Sequence, residues 1–213
     1  MTKKNVLFVG AHHDDVEIAC GGTALKFSKE NYTTYHLVFT DSGFKNENNK
    51  IMRSSKIAIK DASKAKKILG FNKLINLNLK TNKVKVSDTI KKKYLKIINQ
   101  LSPEYLFVHS EKDANSDHRI ISSVVTNLSK RVPNVLHYKS NFFHTKDLFN
   151  PNYFVDISKE YKQKMLAVKA YSGELKRNKN RWIKLIEKNN FLMGDIMGSK
   201  YAEGFEIVRF SKF

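Results

Sequence analysis

Two rhythms of apolar residues alternate along the chain. Short runs at residues 6–11, 35–40 and 105–109 are rich in β-branched and aromatic side chains, the pattern of parallel strands covered on both faces. Residues 73–79 alternate and 135–138 form a brief apolar run, so a third strand precedes the run at 105–109 and a fifth follows it. Between the strands the spacing lengthens to that of helices. Ile57, Ala58, Ala62, Ala65, Ile68 and Leu69 share one face of a helix expected over 51–70 and stopped by Gly70. Another is expected over 88–101, ahead of Ser102-Pro103. A third begins at Asp117-His118 and carries Ile120, Ile121, Val124, Val125 and Leu128. Gly21-Gly22 opens a short helix over 23–29, and Tyr161, Met165, Leu166, Val168 and Ala170 mark one with lysines on its outer face. Such alternation predicts an α/β chain: one Rossmann-like domain over 1–213, its mostly parallel sheet flanked by helices. Residues 44–50 and 139–152 read as loops, the former a candidate substrate cover.

The first strand ends in a concentration of charge, Ala11-His12-His13-Asp14-Asp15-Val16-Glu17. Open α/β sheets bind ligands beyond the carboxyl ends of their strands, so chemistry is expected here. His12 and Asp15, three apart on a tight turn, can converge on a zinc-class cation, with a further carboxylate alongside as base. The strand at 105–109 launches a second block, His109-Ser110-Glu111-Lys112-Asp113-Ala114-Asn115-Ser116-Asp117-His118-Arg119. Its His118 arrives at the same sheet edge. The plain alternative makes His12 and His118 polar loop residues, with Asp15 and Asp117 as helix caps.

Both blocks resemble motifs of the LmbE-like or PIG-L family of zinc-dependent de-N-acetylases. Residues 11–17 are similar to its Ala-His-Pro-Asp-Asp-x-Glu signature, with His13 in place of proline, and the second block resembles the distal block that closes on Asp-His-Arg. Tyr201-Ala202-Glu203-Gly204-Phe205-Glu206 resembles the Ala-Glu-x-Phe segment near the family's C-terminus. The resemblance implies that His12, Asp15 and His118 bind Zn2+, with Fe2+ or cobalt as substitutes, and that Asp14 is the general base for a metal-activated water. It also implies a substrate contact for Arg53, the only arginine near the family's position. Asn115 stands where several relatives carry a histidine. Asparagine can donate a hydrogen bond to an oxyanion but cannot protonate a leaving group, so any acid is Asp14 or His109, the latter placed beside the substrate. Asp117 and Arg119 are expected behind the ligands, with Arg119 paired to Asp113 or Asp117. His13 is expected in solvent, Glu17 at a helix N-terminus, Trp182 in the core, and Glu174 and Glu203 as loop anchors.

Charge sharpens the picture less than its size suggests. The formal charge is +19, carried by 33 Lys and only 6 Arg dispersed along the chain. Phosphate recognition favours arginine, so the surplus reads as a solvated lysine surface and no dedicated nucleic-acid partner is expected. The single Cys20 excludes an internal disulfide. No leader pattern or long apolar run is evident, which makes the cytoplasm the expected location, without membrane insertion and with a homo-oligomer open. The residues alone argue for metal-assisted hydrolysis; the resemblance adds the expected substrate, a small N-acetylated amino sugar or its glycoside. The rival expectations are an amidase for another N-acyl group and a basic, metal-stabilised binding module without catalysis.

Overall fold

A computed structural model of the chain describes residues 3–211. In chain order the elements are β1 (Lys4–Gly10), α1 (Asp15–Lys29), β2 (Tyr32–Thr40), β3 (Phe44–Lys45), β4 (Ile51–Arg53), α2 (Ser55–Leu69), β5 (Lys73–Leu79) and α3 (Asp88–Leu101). They continue with β6 (Tyr105–His109), α4 (Ser116–Leu128), β7 (Asn134–Tyr138), β8 (Tyr153–Asp156), α5 (Tyr161–Lys169), α6 (Ser172–Arg177), α7 (Arg181–Met197) and β9 (Ala202–Arg209). Seven strands form one sheet in the order β5-β2-β1-β6-β7-β9-β8. The first five run parallel, whereas β9 is antiparallel to both β7 and β8.

Strand alternation divides the interior into two layers. On β1, Val6 and Phe8 face Ala24, Ala65, Leu69 and Ala167 of α1, α2 and α5, while Leu7 and Val9 face Ile90, Tyr94, Ile121 and Val125 of α3 and α4. Helices therefore cover both faces, as the runs without polar relief require. The chain passes from β1 outward to β2 and β5, then returns to place β6 on the other side of β1. That reversal opens a crevice at the carboxyl ends of β1 and β6. Among the described residues no helix is long and apolar enough to cross a membrane.

Several boundaries differ from the sequence expectation, each for a local reason. α1 begins at Asp15 and runs through Gly21-Gly22. A Cβ at Gly22 would lie 2.6 Å from Ile157, so this glycine permits close packing and does not start the helix. The helix expected over 51–70 begins only at Ser55, because the Ser54 side chain accepts the Ile57 N–H and caps it. The preceding Ile51–Arg53 pairs instead with Phe44–Lys45, turning the expected loop into a short hairpin. β9 was unmarked by alternation, its burial alternating only in part. Lys164 of α5, expected on a solvated face, is fully buried.

Candidate active site

The crevice gathers side chains from both strand ends. Ala11 continues β1 by accepting from Thr40 N and Oγ1 (3.0 and 2.7 Å), and the chain then turns through His12–Asp14 into α1. Asp15 is fixed from both sides: Oδ2 accepts the His12 backbone N–H at 2.7 Å, and Oδ1 accepts from Ser140 Oγ at 2.9 Å. After β6, Asn115 caps α4 by accepting from Asp117 N and His118 N (2.8 and 3.4 Å), which aims His118 at the same point.

His12 Nδ1 and His118 Nε2 lie 3.1 Å apart; Asp15 Oδ1 is 3.3 Å from the latter, and Oδ2 is 3.4 Å from the former. The edges of a tetrahedron of zinc ligands are about 3.3–3.6 Å from the usual bond lengths. Two ring nitrogens facing each other across 3.1 Å cannot both carry protons: they share one proton in a hydrogen bond or turn both lone pairs to a common cation. His12, Asp15 and His118 thus form a group that can hold a metal ion. The far nitrogen of each ring faces a carboxylate, His12 Nε2 at 3.3 Å from Asp117 and His118 Nδ1 at 3.1 Å from Asp113, the support that orients metal-binding imidazoles.

Electrostatics favour positive charge at this point. Burial opposes protonation of His12, yet Asp15 and Asp117 outweigh it and raise that ring to about 9. His118 is likewise raised to about 10 against burial, by Asp15 and Asp113. Burial pushes the Asp15 carboxyl up, but His118, His109 and His12 together hold it well below the usual range. A divalent cation would take the place of those protons.

A cavity of about 480 Å³ opens over this group, lined also by Asp14, Arg53, Asn115 and Glu174. Arg53 Nη1 donates to Asp14 Oδ2 at 2.8 Å, and its Nε lies 3.9 Å from Glu174. Oδ1 of Asp14 makes no hydrogen bond among the described residues, in contrast to both oxygens of Asp15. Asn115 spends its Oδ1 on the cap, so the amide NH2 is the end left for a ligand.

Three expected positions need correction. His109 is fully buried and does not line the cavity: its Nε2 lies 3.0 Å from the Ala11 N–H and 3.1 Å from Asp15 Oδ2, and its ring stacks on His118 at 3.8 Å. It therefore cannot reach a substrate and instead backs the ligands. His13 is not in solvent: Nδ1 meets Ser42 Oγ at 2.6 Å and Nε2 meets Asn76 Oδ1 at 2.9 Å, and burial lowers the ring to about 4. Arg119 donates to the carbonyls of Asp113 and Ala114, not to a carboxylate, and so ties down the loop before α4. Arg53 pairs with Asp14 while lining the cavity, and Asp117 lies 3.3 Å from His12 Nε2. Trp182 both packs against a core cluster and lines the cavity. Sequence reasoning missed Ser140, Arg177, Asn178 and Arg181, which are distant in the chain from either motif.

Histidines and carboxylates converging from two adjacent parallel strands, with another carboxylate open to the same cavity, define an α/β protein with a candidate metal-dependent catalytic centre. Residues 7–129, more than half of the chain, match the family described as PIG-L: GlcNAc-PI de-N-acetylase, and the protein belongs to that family. The diacetylchitobiose deacetylase of Thermococcus kodakarensis is 22% identical over 230 residues, covering 96% of this chain and 83% of its own. Among solved structures, the N,N'-diacetylchitobiose deacetylase of Pyrococcus horikoshii matches with a TM-score of 0.82 at 21% identity, over 96% of this chain and 84% of that one. GalB, the 4-carboxy-2-hydroxymuconate hydratase of Pseudomonas putida KT2440, matches with a TM-score of 0.78 at 17% identity, over 99% of this chain and 98% of that one. The fold thus hosts more than one reaction, and function has to be argued from the site.

Proposed function

We propose that the protein is a zinc-dependent N-deacetylase that releases acetate from an N-acetylated amino sugar or its glycoside. One observation carries this reading: Asp14, with one oxygen locked by Arg53 and the other unpaired, lies beside the His12–Asp15–His118 group at the cavity wall. A structural metal site has no need of such a carboxylate. Bound by His12, Asp15 and His118, zinc supplies Lewis acidity that polarises an amide carbonyl and acidifies water.

The chain's own groups then divide the work. Arg53 fixes the Asp14 carboxylate so that Oδ1 accepts a proton from the attacking water. The water oxygen bonds to the acetyl carbon, and the Asn115 amide N–H donates to the oxyanion that develops. Asp14 returns its proton to the nitrogen as the C–N bond breaks, giving acetate and a free amine. His109, Asp113 and Asp117 hold the imidazoles in place from behind. The sugar is argued from the relatives, two of which are named as deacetylases of diacetylchitobiose.

Acetate release from a panel of N-acetyl sugars, nucleotide sugars and glycosides tests the reading, with zinc-loaded, chelator-treated and Asp14→Ala proteins in parallel. Release that requires both metal and Asp14 is expected. Folded, zinc-loaded protein that releases nothing from any acetamido sugar, while cleaving bulkier N-acyl amides or hydrating an unsaturated acid, would overturn it.

A further inference from the structure

The cations of the cavity wall differ in kind from those of the chain as a whole. The chain has 33 lysines and 6 arginines, yet the wall carries three arginines, Arg53, Arg177 and Arg181, and no lysine. A lysine-rich surface would supply the reverse. Guanidinium is planar, weakly hydrated and presents paired N–H donors that match a carboxylate or phosphate.

The three arginines are not equally free. Arg53 is committed to Asp14 and lies near Glu174. Arg177 bonds Glu174 through Nε and Nη2 and lies 5.0 Å over the Phe44 ring, which leaves Nη1. Arg181 has no ion pair among the described residues. Between them, Asn178 lines the cavity with both side-chain amide atoms buried and without a partner. The turn after α6, with Lys179 and Asn180 at positive φ, brings these three residues to one corner. The lining carboxylates Asp14, Asp15 and Glu174 offset the three guanidinium charges. A divalent cation at His12–Asp15–His118 then leaves the wall with excess positive charge.

We propose that the corner formed by Arg177, Asn178 and Arg181 binds an anionic group on the substrate, a phosphate or a carboxylate, so that the N-acetyl sugar processed is an acidic one. This rests on the deacetylase reading above and narrows its substrate class. Arg181 and the free Nη1 of Arg177 take the anion, and the Asn178 amide offers a donor and an acceptor to the neighbouring sugar hydroxyls.

The test compares N-acetylglucosamine with its 1-phosphate, its 6-phosphate and N-acetylmuramic acid, using zinc-loaded wild type, Arg181→Gln and Lys184→Gln. Lys184 is exposed on α7 and does not line the cavity, so its substitution removes the same charge outside the corner. One of the acidic sugars is expected to exceed the neutral one in kcat/KM by about tenfold or more, and its identity separates phosphate from carboxylate recognition. Arg181→Gln should cut that preference about tenfold, while Lys184→Gln leaves it in place. Calorimetric titration of glucosamine 1- and 6-phosphates against glucosamine reads the same corner without any turnover. Arg181-dependent binding of a sugar phosphate with no acetate release would sustain the corner and defeat the deacetylase reading. Equal handling of neutral and acidic sugars, or equal losses in Arg181→Gln and Lys184→Gln, would overturn the corner while leaving deacetylation intact.

Discussion

Two buried charge clusters lie in this protein, one where α5 meets β9 and one at the strand ends, and they are finished differently. Lys164 donates to Glu203 at 2.7 Å and to Asn190 at 2.8 Å; Glu203 also accepts from Gly22 N and Thr23 N, and Asn190 donates to Ala202 O. None of these groups lacks a partner, and Lys164 and Glu203 are sealed from solvent. In the site cluster, by contrast, Arg53 Nη2, His109 Nδ1 and Asp113 Oδ2 are buried without a hydrogen bond, and a cavity opens over it. A satisfied buried network fixes the fold, whereas an unsatisfied one beside a cavity is held ready for something that is not protein.

The sharpest way to test that contrast is to remove one charged group from each. Asp14→Asn should lower kcat about 10²–10⁴-fold if it is the base. Its effect on denaturant stability should be the smaller, since Arg53 keeps Glu174 as a neighbour. Lys164→Met should do the reverse, costing about 3–5 kcal/mol in a urea melt by leaving Glu203 buried and unpaired. Equal losses of stability in the two variants would erase the distinction.

Acid should act on the fold through other buried groups. Burial holds His36 to about 3 and His137 to about 4. In the unfolded chain both titrate near 6.5, so between these values the unfolded state binds more protons. Their contribution is complete above about pH 6.5 and is lost as pH falls toward 4 and then 3, a decline of several kcal/mol that a pH series of melts would register. His36→Phe should flatten that decline.

Smaller effects separate the two jobs of Asn115. Asn115→Asp keeps an acceptor for the α4 cap but no longer donates, so kcat should drop about 10–10²-fold with the melting temperature nearly unchanged. Zinc binding should release about one proton at pH 7, the one that His12 Nδ1 and His118 Nε2 hold between them across 3.1 Å without metal. Calorimetry in buffers of different ionisation enthalpy counts it.

The reacting centre was legible because its residues sit in two short segments at strand ends, where a charged run in an apolar chain is conspicuous. His12, Asp15 and His118, named from spacing and resemblance, are brought within one group in space. The parallel strands were legible for the same reason. What escaped depends on long-range packing. His13, Lys164 and His109 are polar by type and buried by context, each bonded to partners 26 or more residues away. The β3–β4 hairpin and β9 carry no clean alternation, and Arg177 and Arg181 lie outside any motif.

Tyr171 joins these two kinds of information. Placed just before α6, its hydroxyl donates to the backbone carbonyl of His13, inside the turn that carries His12, Asp14 and Asp15. One bond thus ties the start of α6 to the signature turn, while the side chains of Asn178 and Arg181, further along, make no hydrogen bond or ion pair with Asp14, Arg53 or Glu174 among the described residues. The arrangement is modular: a lineage can rewrite the corner that meets the rest of the substrate, by drift or duplication, without rebuilding the centre that breaks the bond.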